Sequence, residues 1–84
     1  MEEIKIGRIY RHFKGKFYYV KDIAKDSENL EEYVVYSHLY GDYSTWIRPK
    51  KIFLEEIDIN KEGNVYRQKH RFELIDMEID EITN

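Results

Sequence analysis

The sequence predicts a mainly β domain: a small SH3-like β-barrel of five to six short strands with one short helical turn after Pro49. Three observations carry that prediction. Short runs alternate at strand period, glycine- or asparagine-bearing turns separate them, and aromatic residues make up 15% of the chain. With 84 residues there is room for one domain, 1–84. Short strands and tight turns in so small a chain roll into a compact barrel.

Arg8 to Phe13 alternates, with Ile9, Arg11 and Phe13 on one side and Tyr10 and His12 on the other. Lys14-Gly15-Lys16 is a turn, since glycine accepts positive φ, and Phe17 to Ile23 returns as the second strand of a hairpin. Lys25 to Asn29 is a polar loop in which Asp26 or Ser27 can cap a helical turn. Tyr33 to Tyr36 is a third strand running on to Leu39 or Tyr40. After a turn at Gly41-Asp42, Thr45 to Arg48 is a short fourth strand. Pro49 has no N–H for a ladder, so it ends that strand and opens a helical turn over Lys50 to Glu56. Asn60 to Asn64 is a loop, and Val65 to Ile75 reads as the last substantial strand. Asp76 to Ile82 alternates as a strand does. Ile9, Phe13, Val20, Val34, Val35, Ile47, Phe53 and Phe72 are the expected core.

Composition excludes several classes of function. Without cysteine there are no disulfides, no thiolate catalysis and no cysteine-held metal. No run approaches the roughly 18 apolar residues of a membrane span, and Met1-Glu2-Glu3-Ile4-Lys5 lacks the pattern of a secretion signal. A cytoplasmic protein without a membrane partner is expected. A net charge of -3 argues against a dedicated nucleic-acid binder. Charge is nevertheless segregated: Lys5, Arg8, Arg11, Lys14, Lys16 and Lys21 precede any further acid, whereas Glu73, Asp76, Glu78, Asp80 and Glu81 form a stretch without bases. Neighbouring strands with facing charges explain this most simply. The functional alternative is a basic patch for an anionic ligand.

No catalytic or metal motif emerges. Ser27 lies in an ordinary loop without a glycine-flanked nucleophile turn. The histidines at 12, 38 and 70 are too scattered for a ligand set, and no glycine loop is built to cradle phosphate. No cofactor is expected. Aromatics mixed with cations are more informative, in Tyr10-Arg11-His12-Phe13-Lys14, in Tyr36, Tyr40 and Tyr43, and in Trp46-Ile47-Arg48. Rings stack on planar ligands, and Arg grips phosphate or carboxylate with two parallel bonds. Trp46 is either a core plug or a pocket wall. Arg48 must find an internal carboxylate, such as Glu28 or Glu55, or stand exposed beside a pocket.

Three blocks have a familiar order: Gly7-x-x-Tyr10-Arg11-His12-Phe13-Lys14-Gly15-x-x-Tyr18-x-Val20, Val34-Val35-Tyr36-x-x-Leu39-Tyr40-Gly41, and Trp46-x-Arg48-Pro49-x-x-x-Phe53. Together they resemble the domain-of-unknown-function family 1653, small stand-alone prokaryotic and phage proteins, over about 7–56 with an extension to Arg71-Phe72. The chain departs from the pattern in having Asp26-Ser27-Glu28-Asn29 in place of a His-Ser-Glu-Thr-like loop, and Ile52 where Met precedes the Phe. The resemblance implies that Tyr10, Arg11, His12, Tyr36, Tyr40, Trp46 and Arg48 belong to a shared pattern. It assigns no activity. Phage occurrence implies one concrete use, sequestration of a nucleotide-derived host signal.

The leading expectation is a non-enzymatic binding domain that captures a small anionic, nucleotide-like ligand through those seven residues. Arg11 and Arg48 are expected on one face, with Tyr40 or Trp46 as a wall. The alternatives are a protein–protein or assembly module and a nucleotide-acting hydrolase using His12 as acid–base. A homodimer or higher oligomer is also expected, because Ile79 and Ile82 need cover in so small a domain.

Overall fold

The structure, a computed structural model, describes residues 3–75. Its elements are β1 (Ile9–His12), β2 (Phe17–Lys25), β3 (Glu32–His38), β4 (Thr45–Pro49), α1 (Lys50–Phe53) and β5 (Phe72–Leu74). The strands form one antiparallel sheet in the order β4-β3-β2-β1-β5. The mainly β architecture, the five strands and the short helix after Pro49 are as the sequence predicts. Barrel closure is not: β4 and β5 lie at opposite edges of an open sheet.

The hairpin forms where glycine permits it. The His12 N–H donates to the Lys16 carbonyl at 2.8 Å and the Gly15 N–H to the His12 carbonyl at 2.7 Å. Gly15 itself sits at φ +106°, a conformation that side-chain-bearing residues rarely adopt. Between β2 and β3 the register slips at Val20/Asp22, so Val20 opposes Tyr36 and Ile23 opposes Val34. This bulge turns both Val20 and Ile23 inward, which strict alternation does not allow. In the following loop Asp26 accepts the Glu28 N–H at 2.8 Å, making a side-chain-held turn rather than a capped helix.

One face of the sheet is covered and the other is open. Tyr10, Tyr18, Val20, Val34, Tyr36 and Phe72 pack inward with Ile4 and with Phe53 of α1. Phe53 and Phe72 stack with centroids 4.1 Å apart and planes within 3°. These rings seal the inner face, so the apolar surface is buried without a closed barrel. Of the expected core, Phe13, Val20, Val34, Phe53 and Phe72 are buried, and Ile9 and Val35 are half-buried. Ile47 is 62% exposed. It opposes Val35 on the outer face, while the inward positions of β4 are Trp46 and Arg48, opposite Tyr36 and Val34.

The region 65–71 is not the expected strand. It is a looped segment that makes an isolated bridge between Glu56 and His70, outside the sheet, and is tied to β1 by Gln68 Nε2 donating to the Arg11 carbonyl at 3.1 Å. The Asn64 side chain accepts the Gln68 N–H at 2.8 Å and donates to the Gln68 carbonyl at 2.9 Å, offering the backbone partners that a ladder would otherwise supply. Arg67 takes φ 53° within that loop. The expected strand at Asp76 to Ile82 lies outside the described residues. Glu73 does lie directly opposite Arg11, as facing charges on neighbouring strands require.

Candidate anion-binding site

Inward-pointing positions at the end of the sheet carry the chemistry. The β1–β2 turn, the end of β4, the start of β5 and the 61–63 turn surround an open cavity of about 670 Å³ lined by His12, Phe13, Lys14, Arg48, Lys61, Glu62, Gly63 and Arg71. Buried Phe13 forms its floor. The Lys14 and Lys61 ammonium groups and the Arg71 guanidinium each stand within 6 Å of its ring centroid, at 5.9, 5.8 and 5.9 Å. Gly63 holds φ +87° there, and a Cβ on it would lie 3.7 Å from the Lys14 side chain.

The cations differ in how they are compensated. Arg71 clasps the Glu55 carboxylate through Nε at 2.9 Å and through its Nη2. Arg48 donates from Nε to the Tyr36 hydroxyl at 3.3 Å and lies 5.6 Å over the Phe72 ring. Neither Glu28 nor Glu55 pairs with Arg48, and among the described residues Lys14, Arg48 and Lys61 form no salt bridge. A second cavity of about 580 Å³ lies beside Leu30 and Leu54. Its lysines are neutralised by Lys50–Glu32 and Lys51–Glu31 pairs at 3.2 and 3.5 Å, so it offers an anion nothing.

His12 registers the field in the first cavity. Burial, followed by the charges of Arg71, Arg48 and Lys14, lowers its pKa from 6.5 to about 4. Its Nδ1 accepts the Lys14 N–H at 3.1 Å, so the neutral ring carries its proton on Nε2. A group with a depressed folded-state pKa adds stability above its unfolded pKa and loses it as pH falls through the folded value. The Tm should therefore decline between pH 6.5 and 4, and His12→Gln should flatten part of that slope. Parallel Tm–pH curves for the two proteins would remove His12 from the acid transition.

A row of rings adjoins the cavity. Tyr18 lies 6.3 Å from His12 and 5.2 Å from His38, centroid to centroid. His38 is stacked with Tyr40 at 4.7 Å and 6°, and with Trp46 at 5.4 Å and 7°. Trp46 is 52% exposed, so it is not a core residue. Its indole N–H donates to Ser44 Oγ, and Lys16 sits 4.6 Å from the Tyr40 ring centroid. Burial and a hydrogen bond with the Tyr40 hydroxyl raise Tyr18 above the ordinary tyrosine range.

The structure thus gathers His12, Arg48, Tyr40 and Trp46 on one face. Tyr36 joins them only through its hydroxyl, being buried, and Tyr10 is a core residue whose hydroxyl accepts the Lys5 N–H at 2.8 Å. Arg11 is on the opposite side of β1 from His12, which overturns the expectation that it shares a face with Arg48. It donates from Nε to Gln68 Oε1 at 2.6 Å and lies 3.8 Å over Tyr66. Sequence reasoning did not single out His38, Lys61 or Arg71. His38 was detectable as the residue two beyond Tyr36, on the same strand face. Lys61 had no comparable signal.

A protein of known structure from Bordetella bronchiseptica, described as belonging to DUF1653, is similar over 89% of this chain and 91% of its own, with a TM-score of 0.69 and 30% identity. No curated protein matches the chain. The family described as "Protein of unknown function (DUF1653)" matches residues 8–74, and the chain belongs to that family.

Proposed function

We propose that the protein is a non-enzymatic domain that captures a small anionic ligand of nucleotide type. The ligand's planar part lies against Trp46 and its charge is held by Arg48. The observation that carries this reading is the parallel Tyr40–His38–Trp46 stack on the same sheet face as an arginine with no carboxylate partner among the described residues. Base–aromatic stacking contributes about 1–3 kcal/mol per base, and charged donors strengthen the hold on phosphate.

The two arginines of the sequence pattern separate structure from binding. Arg48→Ala should lower Tm only modestly, through loss of its 3.3 Å bond to the Tyr36 hydroxyl, and abolish the stabilisation that nucleotides or cyclic dinucleotides give at high concentration. Arg11→Ala should lower stability by about 1–2 kcal/mol, through loss of its bond to buried Gln68, and retain binding. Thermal melts of both variants with and without nucleotide distinguish the roles. If no nucleotide or cyclic dinucleotide shifts the Tm of the unaltered protein, the proposal fails. Turnover lost in a His12→Gln variant that still binds would favour a hydrolase.

A further inference from the structure

We propose that the cavity formed by His12, Lys14, Arg48, Lys61, Glu62 and Arg71 is a subsite for a phosphate dianion, the terminal phosphate monoester of the ligand whose planar part the rings receive. This rests on the reading above for the planar part, while the subsite has its own support.

Charge comes first. Arg71 is neutralised by Glu55, and among the described residues Glu62 is the one carboxylate in the lining. Lys14, Arg48 and Lys61 then leave the cavity with a surplus of about two positive charges, because none is in a salt bridge among the described residues. A phosphate monoester matches that surplus, whereas a carboxylate or a phosphodiester supplies half of it. Hydrogen-bond polarity points the same way. With Nδ1 engaged by the Lys14 N–H, neutral His12 offers only a donor, and the lysines and arginines are donors throughout. Glu62 apart, the lining side chains therefore fit an acceptor-only group. Convergence is the third support: Lys14, Lys61 and Arg71 approach one buried ring, Phe13, although their mutual repulsion would otherwise spread them.

The subsite also gives the ligand a direction. The phosphate lies at the turns that hold Lys14 and Lys61, and the planar part lies against exposed Trp46, beyond the row from Tyr18 through His38. Arg48, lining the cavity and two residues from Trp46 on the same strand face, stands between the two ends.

Calorimetric titration with adenosine, 3′,5′-cyclic AMP, AMP and inorganic pyrophosphate tests this, with Lys61→Glu as the variant. Lys61 is exposed, so the variant should fold, which an unchanged circular dichroism melt would verify. AMP should bind at least about tenfold more tightly than adenosine or cyclic AMP. Pyrophosphate should bind the unaltered protein, and Lys61→Glu should abolish both effects. Equal affinities for adenosine and AMP, or pyrophosphate binding that survives Lys61→Glu, would overturn the subsite and leave the ring reading standing. Pyrophosphate binding that depends on Lys61, with no AMP-induced shift of the Trp46 indole N–H resonance, would keep the subsite and overturn the ring reading. Absence of binding by all four compounds at millimolar concentration overturns both.

Discussion

Phe72→Ala is expected to remove a large share of the domain's stability. Phe72 is 1% exposed and is central to the aromatic core, stacked on Phe53 at 4.1 Å and edge-on to Tyr18, Tyr36 and His12 at 5.2, 5.8 and 4.9 Å. Truncating a buried phenylalanine costs about 3–5 kcal/mol, because the lost transfer energy is joined by an unfilled cavity. A domain of this length has a total stability of about 4–13 kcal/mol. Urea denaturation followed by circular dichroism should show a collapse of the midpoint. Phe72→Leu, which refills most of the space, should retain a cooperative transition. A shift below about 1 kcal/mol for the alanine variant would contradict the packing described.

Gln68→Ala should also be strongly damaging, although glutamine is a polar residue in a loop. Gln68 is 1% exposed. Its Nε2 donates to the carbonyls of Arg11 and His70, each at 3.1 Å, and its Oε1 accepts from Arg11 Nε at 2.6 Å. Alanine strands two carbonyls and one guanidinium bond, and each buried unsatisfied group costs about 1–3 kcal/mol. A loss of about 2–4 kcal/mol is expected on that basis. Amide exchange should accelerate across residues 58–70 more than in β2 and β3, since Gln68 ties this loop to β1. Uniform acceleration throughout the sheet would instead make Gln68 part of the global core.

The sequence was most legible where the backbone period and the burial pattern agree. Phe17, Tyr19 and Val35 point outward while Tyr18, Val20 and Val34 are buried, and the hairpin turn is marked by Gly15. Trp46 and Arg48 could be placed on one face by their spacing alone. The same rule, applied to Arg11 and His12, separates them, and Arg11 accordingly belongs with the outer residues. Ile47 misled because an apolar residue on an edge strand implies burial only when that strand is covered on both faces. Val65 to Arg71 misled because Asn64 competes for the backbone, and side-chain competition has no periodicity to read. Lys61 reaches the cavity through a long-range fold of its loop, which no local spacing encodes.

The open sheet has a consequence for behaviour in concentrated solution. An uncovered edge invites strands of other molecules to dock and stack, the first step toward fibrous aggregates. Here β4 is five residues long and closes on Pro49, while β5 contributes only three residues. Aggregating segments generally run to six or seven residues without proline. Thr45-Trp46-Ile47-Arg48 stops short of that, its two adjacent apolar residues followed by a cation and then by a residue lacking an N–H. Pro49 therefore does more than start α1: it caps the length of any illegitimate sheet extension along an edge that displays Ile47 and Trp46 to solvent.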